Sequence, residues 1–398
     1  MQNAYIIDAV RTHIGSYGGS LSAVRPDDLA AIVIKALLQR NPQVSPQSIE
    51  EVIFGAANQA GEDNRNVARM AALLAGLPVT CAGVTVNRLC ASGLQAIADA
   101  TRCLQLGEGN IYIAGGVESM SRAPFVMPKS PTAFHRTPEI FDTTIGWRFT
   151  NPTLAALYHP YSMGETAENV AQKWQISRQD QDNFAFDSQQ KYQKAHEQAL
   201  FSNEIVPVEV RINKKETRIV DKDEHPRQTN REKLTQLPSA FVKDGSVTAG
   251  NSSGINDGAA ALLLANESTV VEQAWQPLLR VVAIGIAGVE PAYMGIGPVP
   301  AIQKALQRAQ LRIEDIDLFE LNEAFAAQVL ASVQQLHIPL EKVNVRGGAI
   351  ALGHPLGCSG ARITTTLAYA MRDQRARYGV AAMCVGVGQG VAIVYERV

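Results

Sequence analysis

The chain is predicted to be an α/β protein of two similar halves with a segment of different character inserted between them. Short apolar runs alternate with amphipathic stretches along its 398 residues, which is the pattern of strands and covering helices in one sheet-based core. The order strand, helix, small-residue turn, helix, strand occurs twice, as expected for an internal duplication. Proline-rich and charge-dense sequence separates the two occurrences.

In the first half, residues 4–10 read as an apolar strand and 51–55 as a second strand, followed by a helix from about Val67. Cys90-Ala91-Ser92-Gly93 then opens a helix that Gly107 is suited to end, and 111–116 form a strand. The inserted segment covers 120–247. It carries Pro124, Pro128, Pro131 and Pro138, helix candidates over 164–174 and 178–200, and a charge-dense stretch from Arg211 to Lys233. Such a stretch is mostly solvated surface, with Arg227 its best candidate for a phosphate contact. In the second half, 316–321 read as a strand and 322–335 as a helix, which Asn322 is suited to cap. Gly357-Cys358-Ser359-Gly360 opens another helix, and 381–384 is a strand running into Gly386, Gly388 and Gly390. The expected units are 1–119 with 248–272, the insertion 120–247, and 273–398.

Composition narrows the function. A formal net charge of -2 supplies no global field toward nucleic acid or an anionic membrane, so an anionic ligand must meet local donors. No apolar run approaches the ~20 residues of a membrane-spanning helix. Cysteines 81, 90, 103, 358 and 384 show neither a disulfide framework nor zinc spacing. An intracellular, cytoplasmic protein without a bound metal is expected, since strand-like sequence follows Asn3 directly and leaves no room for a targeting peptide.

Three segments carry chemistry. A thiol ahead of a helix feels the positive end of the dipole and free N–H groups, which favours thiolate and offers an oxyanion site, so Cys90 is the candidate nucleophile. An isolated cysteine is more often a small buried apolar residue, and Cys81 and Cys103 take that reading. Gly353-His354-Pro355 sets a histidine in extended backbone, because the residue before proline avoids the helical region, where it could take a proton from a thiol. Cys384 precedes glycines that can expose N–H groups beside it. With the amide of Asn322, these describe a cysteine nucleophile, a histidine base, a second thiol and a polar amide.

At these residues the chain resembles the thiolases, a family of acyl-CoA acyltransferases. The resemblance rests on Asn87-Arg88-Leu89-Cys90-Ala91-Ser92-Gly93, Gly115-Gly116-Val117-Glu118-Ser119-Met120-Ser121 and Asn322-Glu323-Ala324-Phe325-Ala326. It rests further on Gly347-Gly348-Ala349-Ile350-Ala351-Leu352-Gly353-His354-Pro355 and on 384–390. It implies the thiolase fold, two βαβαβαββ halves stacked in layers, with a loop domain over the coenzyme A site. It also implies roles. Cys90 carries the acyl group, His354 activates it, and Cys384 is the acid/base. Asn322 holds a water that, with His354, binds the enolate oxygen, while the N–H groups of Cys90 and Gly386 form a second oxyanion hole. Ser253 contacts the pantetheine and Arg227 a phosphate. Coenzyme A is implied as a co-substrate rather than a resident cofactor, and a homo-oligomer, dimer or dimer of dimers, as the assembly.

Within the family, the stretches 61–70, 142–149 and 294–300 are similar to thiolases acting on 3-oxoadipyl-CoA; a general short-chain acetyltransferase is the alternative. A substrate of the first kind carries a distal carboxylate, for which Arg148, His135 and Arg346 are the candidate cations. The chain departs from the family pattern at His13, Arg346, Cys358 and Val387.

Overall fold

The structure, a computed structural model, describes residues 2–211 and 213–398. Met1 at the start and Ile212 in the charge-dense stretch lie outside the described residues. Among the described residues one continuous sheet holds eleven strands, two of them short side strands, Gly15–Ser16 and Ile205–Val206. The nine on its main path are β1 (Ala4–Thr12), β2 (Glu51–Gly55), β3 (Ala82–Val86), β4 (Ile111–Ser119), β5 (Asn256–Asn266), β6 (Leu279–Gly288), β7 (Leu318–Leu321), β8 (Tyr378–Val385) and β9 (Gln389–Arg397). Across the sheet they run β7-β8-β9-β6-β1-β5-β4-β2-β3.

Reading outward from the centre, β1-β5-β4-β2-β3 on one side matches β6-β9-β8-β7 on the other. A parallel bridge from Phe319 to Val343 stands where a fifth strand would follow β7. The first two pairings of each half are antiparallel and the next two parallel. The two halves are therefore the same topology repeated. They join where Ala4, Tyr5 and Ile6 of β1 pair antiparallel with Val281, Arg280 and Leu279 of β6.

The helices relevant to the site are α1 (Pro26–Arg40), α2 (Val67–Leu74), α3 (Ser92–Leu106), α4 (Met163–Lys173), α5 (Arg178–Glu197), α6 (Pro298–Ala309), α7 (Ala326–Leu336) and α8 (Leu356–Gln374). α1 and α2 cover the outer face of the amino-terminal half-sheet, and α6 and α7 that of the carboxyl-terminal half. α3 and α8 lie between the halves and touch strands of both, which makes five layers. A helix enclosed on all sides must be apolar or internally satisfied all round. α8 is buried without interruption from Gly357 to Met371, and its Thr364 and Thr365 hydroxyls donate back to the carbonyls of Gly360 and Ala361.

Glycine makes the central crossing possible. A Cβ on Gly93 would stand 2.6 Å from the backbone N of Ala361, and one on Gly360 would overlap the backbone N of Leu94. The backbones of α3 and α8 thus touch within the first turns of both helices. Whatever precedes α3 is brought close to whatever precedes α8.

The segment between β4 and β5 lies over this core and is tied to it by buried charge. Arg11 of β1 donates to Glu204 (2.7 Å) and Asp223 (2.7 Å), with all three side chains sealed from solvent. The expected helices are present with shifted ends. α4 starts at Met163 behind a capping box of Ser162 and Glu165, and α5 stops at Glu197. The helix expected over 322–335 begins later, at Ala326. Residues 322–325 are irregular instead, ending in an extended Phe325, because Phe325 bridges Ser252 and Ala324 accepts from the N–H of Ser253. Asn322 is therefore not a helix cap.

Candidate active site

Cys90 sits in the turn between β3 and α3. Leu89 takes a left-handed φ of 46° there, stabilised by its N–H donating 2.8 Å to the Asn87 side chain, while the Ser92 hydroxyl donates 2.6 Å to the Leu89 carbonyl. Arg88 pins the turn from outside, donating to Gln95 of α3 and Gln389 of β9, each at 2.7 Å. The duplicate position ahead of α8 is held by His354. Its N–H donates 2.9 Å to Asn256 of β5, which packs against Gly353, itself at φ 103°. Cys384 is near the carboxyl end of β8 and Asn322 just past the end of β7. Strand ends and helix starts of both halves therefore converge, as ligand sites in open α/β sheets do.

The hydrogen-bond network assigns the tautomer of His354. Ser359 Oγ donates to the Pro355 carbonyl at 2.9 Å and lies 2.6 Å from Nδ1. Its proton is committed to the carbonyl, so it accepts from Nδ1–H and leaves Nε2 with a free lone pair. The Asn322 amide nitrogen is 3.4 Å from both ring nitrogens. An equidistant atom is aligned with neither lone pair, so this is packing rather than a directed hydrogen bond. The Asn322 Oδ1 is buried and meets no protein donor among the described residues.

Burial governs the charges. It pushes the Cys90 thiol up to about 11, and the negative Glu118 adds to this against the N–H groups of Gly386 and of Cys90 itself. Cys384, 1% exposed, is raised by burial and by its proximity to Cys90. Burial, with the positive Arg362, pushes His354 down to about 3. Desolvation thus favours the neutral forms of both thiols and of the imidazole, a direction opposite to the expected dipole-stabilised thiolate. Cys90 precedes the Ala91 cap rather than occupying the first turn of α3, and removing the anion from water outweighs the few N–H donors.

A cavity of about 220 Å³ opens on Cys90, with Gly386, Val387, Met163, Trp147 and Arg148 among its walls. Ser253 is half-buried in the loop joined to 324–326. Arg227 is exposed and lines a separate groove with Lys233, Ala249 and Gly250. Cys90 meets the Gly386 N–H and lies close to Cys384, and His354 packs against Asn322. The two pairs are linked by the Asn322 N–H donating to the Ala382 carbonyl and by Leu356, two residues after His354, which lines the cavity at Cys90.

Two of the three candidate cations for a distal carboxylate are not in the cavity. Arg346 is buried elsewhere, donating to the Leu200 carbonyl and Asp373. His135 is exposed in the stretch 131–140 and lines no part of the cavity. Arg148 does line it. Glu118 and Ser359 carry roles that the sequence pattern does not assign. Glu118 accepts from the N–H groups of Ala57 (2.9 Å), Asn58 (3.0 Å) and Gly357 (2.7 Å), clamping the loop after β2 to the start of α8. Its place in the Gly-Gly-Val-Glu segment at a strand end was the available signal.

The family comparison matches this architecture half by half: residues 4–268 match the thiolase N-terminal domain and 275–397 the thiolase C-terminal domain. The chain belongs to the thiolase family. It has the thiolase fold and is an acyltransferase. Over the full length of both chains, this thiolase is 54% identical to the 3-oxoadipyl-CoA/3-oxo-5,6-dehydrosuberyl-CoA thiolase of Escherichia coli K12. It is 55% identical, again over the full length of both, to the beta-ketoadipyl-CoA thiolase of Pseudomonas aeruginosa. The Bacillus anthracis acetyl-CoA acetyltransferase superposes with a TM-score of 0.94 at 43% identity, covering 100% of this chain and 99% of that one. Human mitochondrial 3-ketoacyl-CoA thiolase in complex with CoA gives 0.92 at 40% identity, covering 100% and 98%.

Proposed function

We propose that this thiolase cleaves 3-oxoadipyl-CoA with coenzyme A to succinyl-CoA and acetyl-CoA, with Cys90 as the nucleophile. The catalytic part is supported by Cys90 lying close to Cys384 at the Gly386 N–H and by a His354 whose Nε2 is left free two residues before Leu356, which lines the Cys90 cavity. The substrate rests on the relatives named for it at 54–55% identity.

Cys90 sulfur bonds to the 3-keto carbon as its proton passes to His354 Nε2. Because the thiol sits near 11 and the imidazole near 3, this proton moves with the attack and not before it. The N–H groups of Cys90 and Gly386 receive the oxyanion; one such donor is worth about 10²–10³ in rate. The bond between carbons 2 and 3 then breaks and its electron pair forms the acetyl-CoA enolate, whose oxygen is held by His354 and a water on Asn322. The Cys384 thiol protonates carbon 2. The resulting thiolate takes the proton of the incoming coenzyme A thiol, and coenzyme A sulfur displaces the acyl group. Cys90 recovers its proton from His354.

Ser253 and Arg227 would hold pantetheine and phosphate, and coenzyme A is a co-substrate with no resident cofactor required. No helix among the described residues is long and apolar enough to cross a membrane, and we place the enzyme in the cytoplasm. The exposed Leu73, Leu74, Val79 and Val84 beside the terminal strand β3 support a homo-oligomer, since an uncovered apolar sheet edge invites pairing.

Thiolysis of 3-oxoadipyl-CoA and acetoacetyl-CoA at fixed coenzyme A tests the substrate. A higher kcat/KM for the first is expected, and equality or reversal would favour a general acetyltransferase. Cys90→Ala should form no acyl-enzyme by intact mass. Cys384→Ser should acylate but fail in cleavage, and near wild-type thiolysis would remove Cys384 from its role.

A further inference from the structure

We propose that Arg148 receives the distal carboxylate of the acyl chain and so selects 3-oxoacyl groups that end in a negative charge. The inference rests on the substrate reading above and names the residue that would enforce it.

The cavity that opens on Cys90 offers few other partners for an anion. Its one carboxylate, Glu118, accepts from three backbone N–H groups and makes no bond to Arg148. The Thr143 hydroxyl donates 2.6 Å to the Pro124 carbonyl and accepts from Asn58 at 2.9 Å, so both its proton and the Asn58 amide are committed. The Trp147 indole N–H donates 2.9 Å to the Tyr161 carbonyl. Arg148 is half-buried, lines the same cavity, and makes no ion pair or hydrogen bond with any described residue. An arginine held beside largely apolar walls keeps its fork of donors for a ligand, and a carboxylate matches that fork in two parallel bonds.

The backbone carrying Arg148 is fixed from both sides. Gly146 turns the chain at φ 92°, the Trp147 bond anchors the next residue, and Phe149 packs edge-on against Phe141 with ring centroids 5.1 Å apart. A succinyl group on Cys90 therefore has its charged end in the same compartment as a positioned cation. A purely aliphatic acyl group would leave that cation without a partner, which gives discrimination in both directions.

The test compares 3-oxoadipyl-CoA with 3-oxohexanoyl-CoA, which has six acyl carbons and a methyl terminus, on wild type, Arg148→Gln and Arg148→Lys. In Arg148→Gln the ratio of the two kcat/KM values should fall about 10–100-fold, the loss expected for hydrogen bonds to a charged group. Arg148→Lys should recover part of it. Acylation of Cys90 by succinyl-CoA against butyryl-CoA, read by intact mass, should change in the same sense. Equal losses on both substrates, or an unchanged ratio, overturn the role of Arg148. If wild type shows no preference for 3-oxoadipyl-CoA, the substrate reading fails first and this proposal with it.

Discussion

Alkylating Cys90 across a range of pH tests whether burial or the helix terminus controls the nucleophile. An ordinary cysteine titrates near 9.0, and burial moves this one to about 11. Two units correspond to ~100-fold less thiolate at neutral pH, leaving roughly one molecule in 10⁴ ionised at pH 7. Iodoacetamide is neutral and needs no oxyanion site, so its rate reports the free thiolate. The second-order rate constant at Cys90, followed by peptide mass in a Cys384→Ser background, should rise about tenfold per pH unit from 6 to 10. At pH 7 it should lie ~100-fold below that of an exposed cysteine. A rate that is flat between pH 5 and 8 would mean a resting thiolate–imidazolium pair. That outcome would refute both the raised thiol and the His354 lowered to about 3, because such a pair requires the imidazole to be raised.

Ser359→Ala leaves the buried Nδ1–H of His354 without an acceptor. It should lower stability by about 1–3 kcal/mol in urea and kcat by roughly 10–100-fold; an unchanged kcat would contradict the tautomer assignment. Glu118 is raised from 4.5 to about 7 by burial, so the folded state holds its proton more tightly than the unfolded chain. The stability this brings is fully present below pH 4.5 and is lost as pH rises through 7. Glu118→Gln, which cannot titrate, should reduce the loss of stability between pH 5 and 8 by up to ~3 kcal/mol, and a pH dependence identical to wild type would exclude the shift. Val387 is β-branched at φ 62°, a strain of about 1–2 kcal/mol. Val387→Gly removes it against ~0.5–1 kcal/mol of added chain entropy. The expected result is a small gain in the urea midpoint, and a clear loss would mean that packing of the Val387 side chain dominates.

Local sequence determined much of this molecule. The duplication, the strand–helix order and the turns ahead of α3 and α8 depend on patterns a few residues long, and so does the Gly107 end of α3 at φ 77°. The motifs around Cys90, Asn322, His354 and Cys384 were legible for the same reason. Their convergence depends on contacts between distant segments: the pairing of β1 with β6, and the touching backbones at Gly93 and Gly360. Asn322 illustrates the limit. Its side chain could cap a helix by local rules, yet pairing of the following residues with 251–253 kept the chain out of the helix and delayed α7 to Ala326. Charge was the least legible property. Arg148, Arg346 and His135 are three cations of similar promise in sequence, but one lines the cavity, one is buried against Asp373 and one faces solvent. The same holds for Cys90, whose protonation follows from the partial burial, the Glu118 carboxyl and the N–H groups that the fold sets around it. Sequence specifies which groups can carry charge, whereas desolvation and partner geometry, which exist only after folding, decide what that charge does.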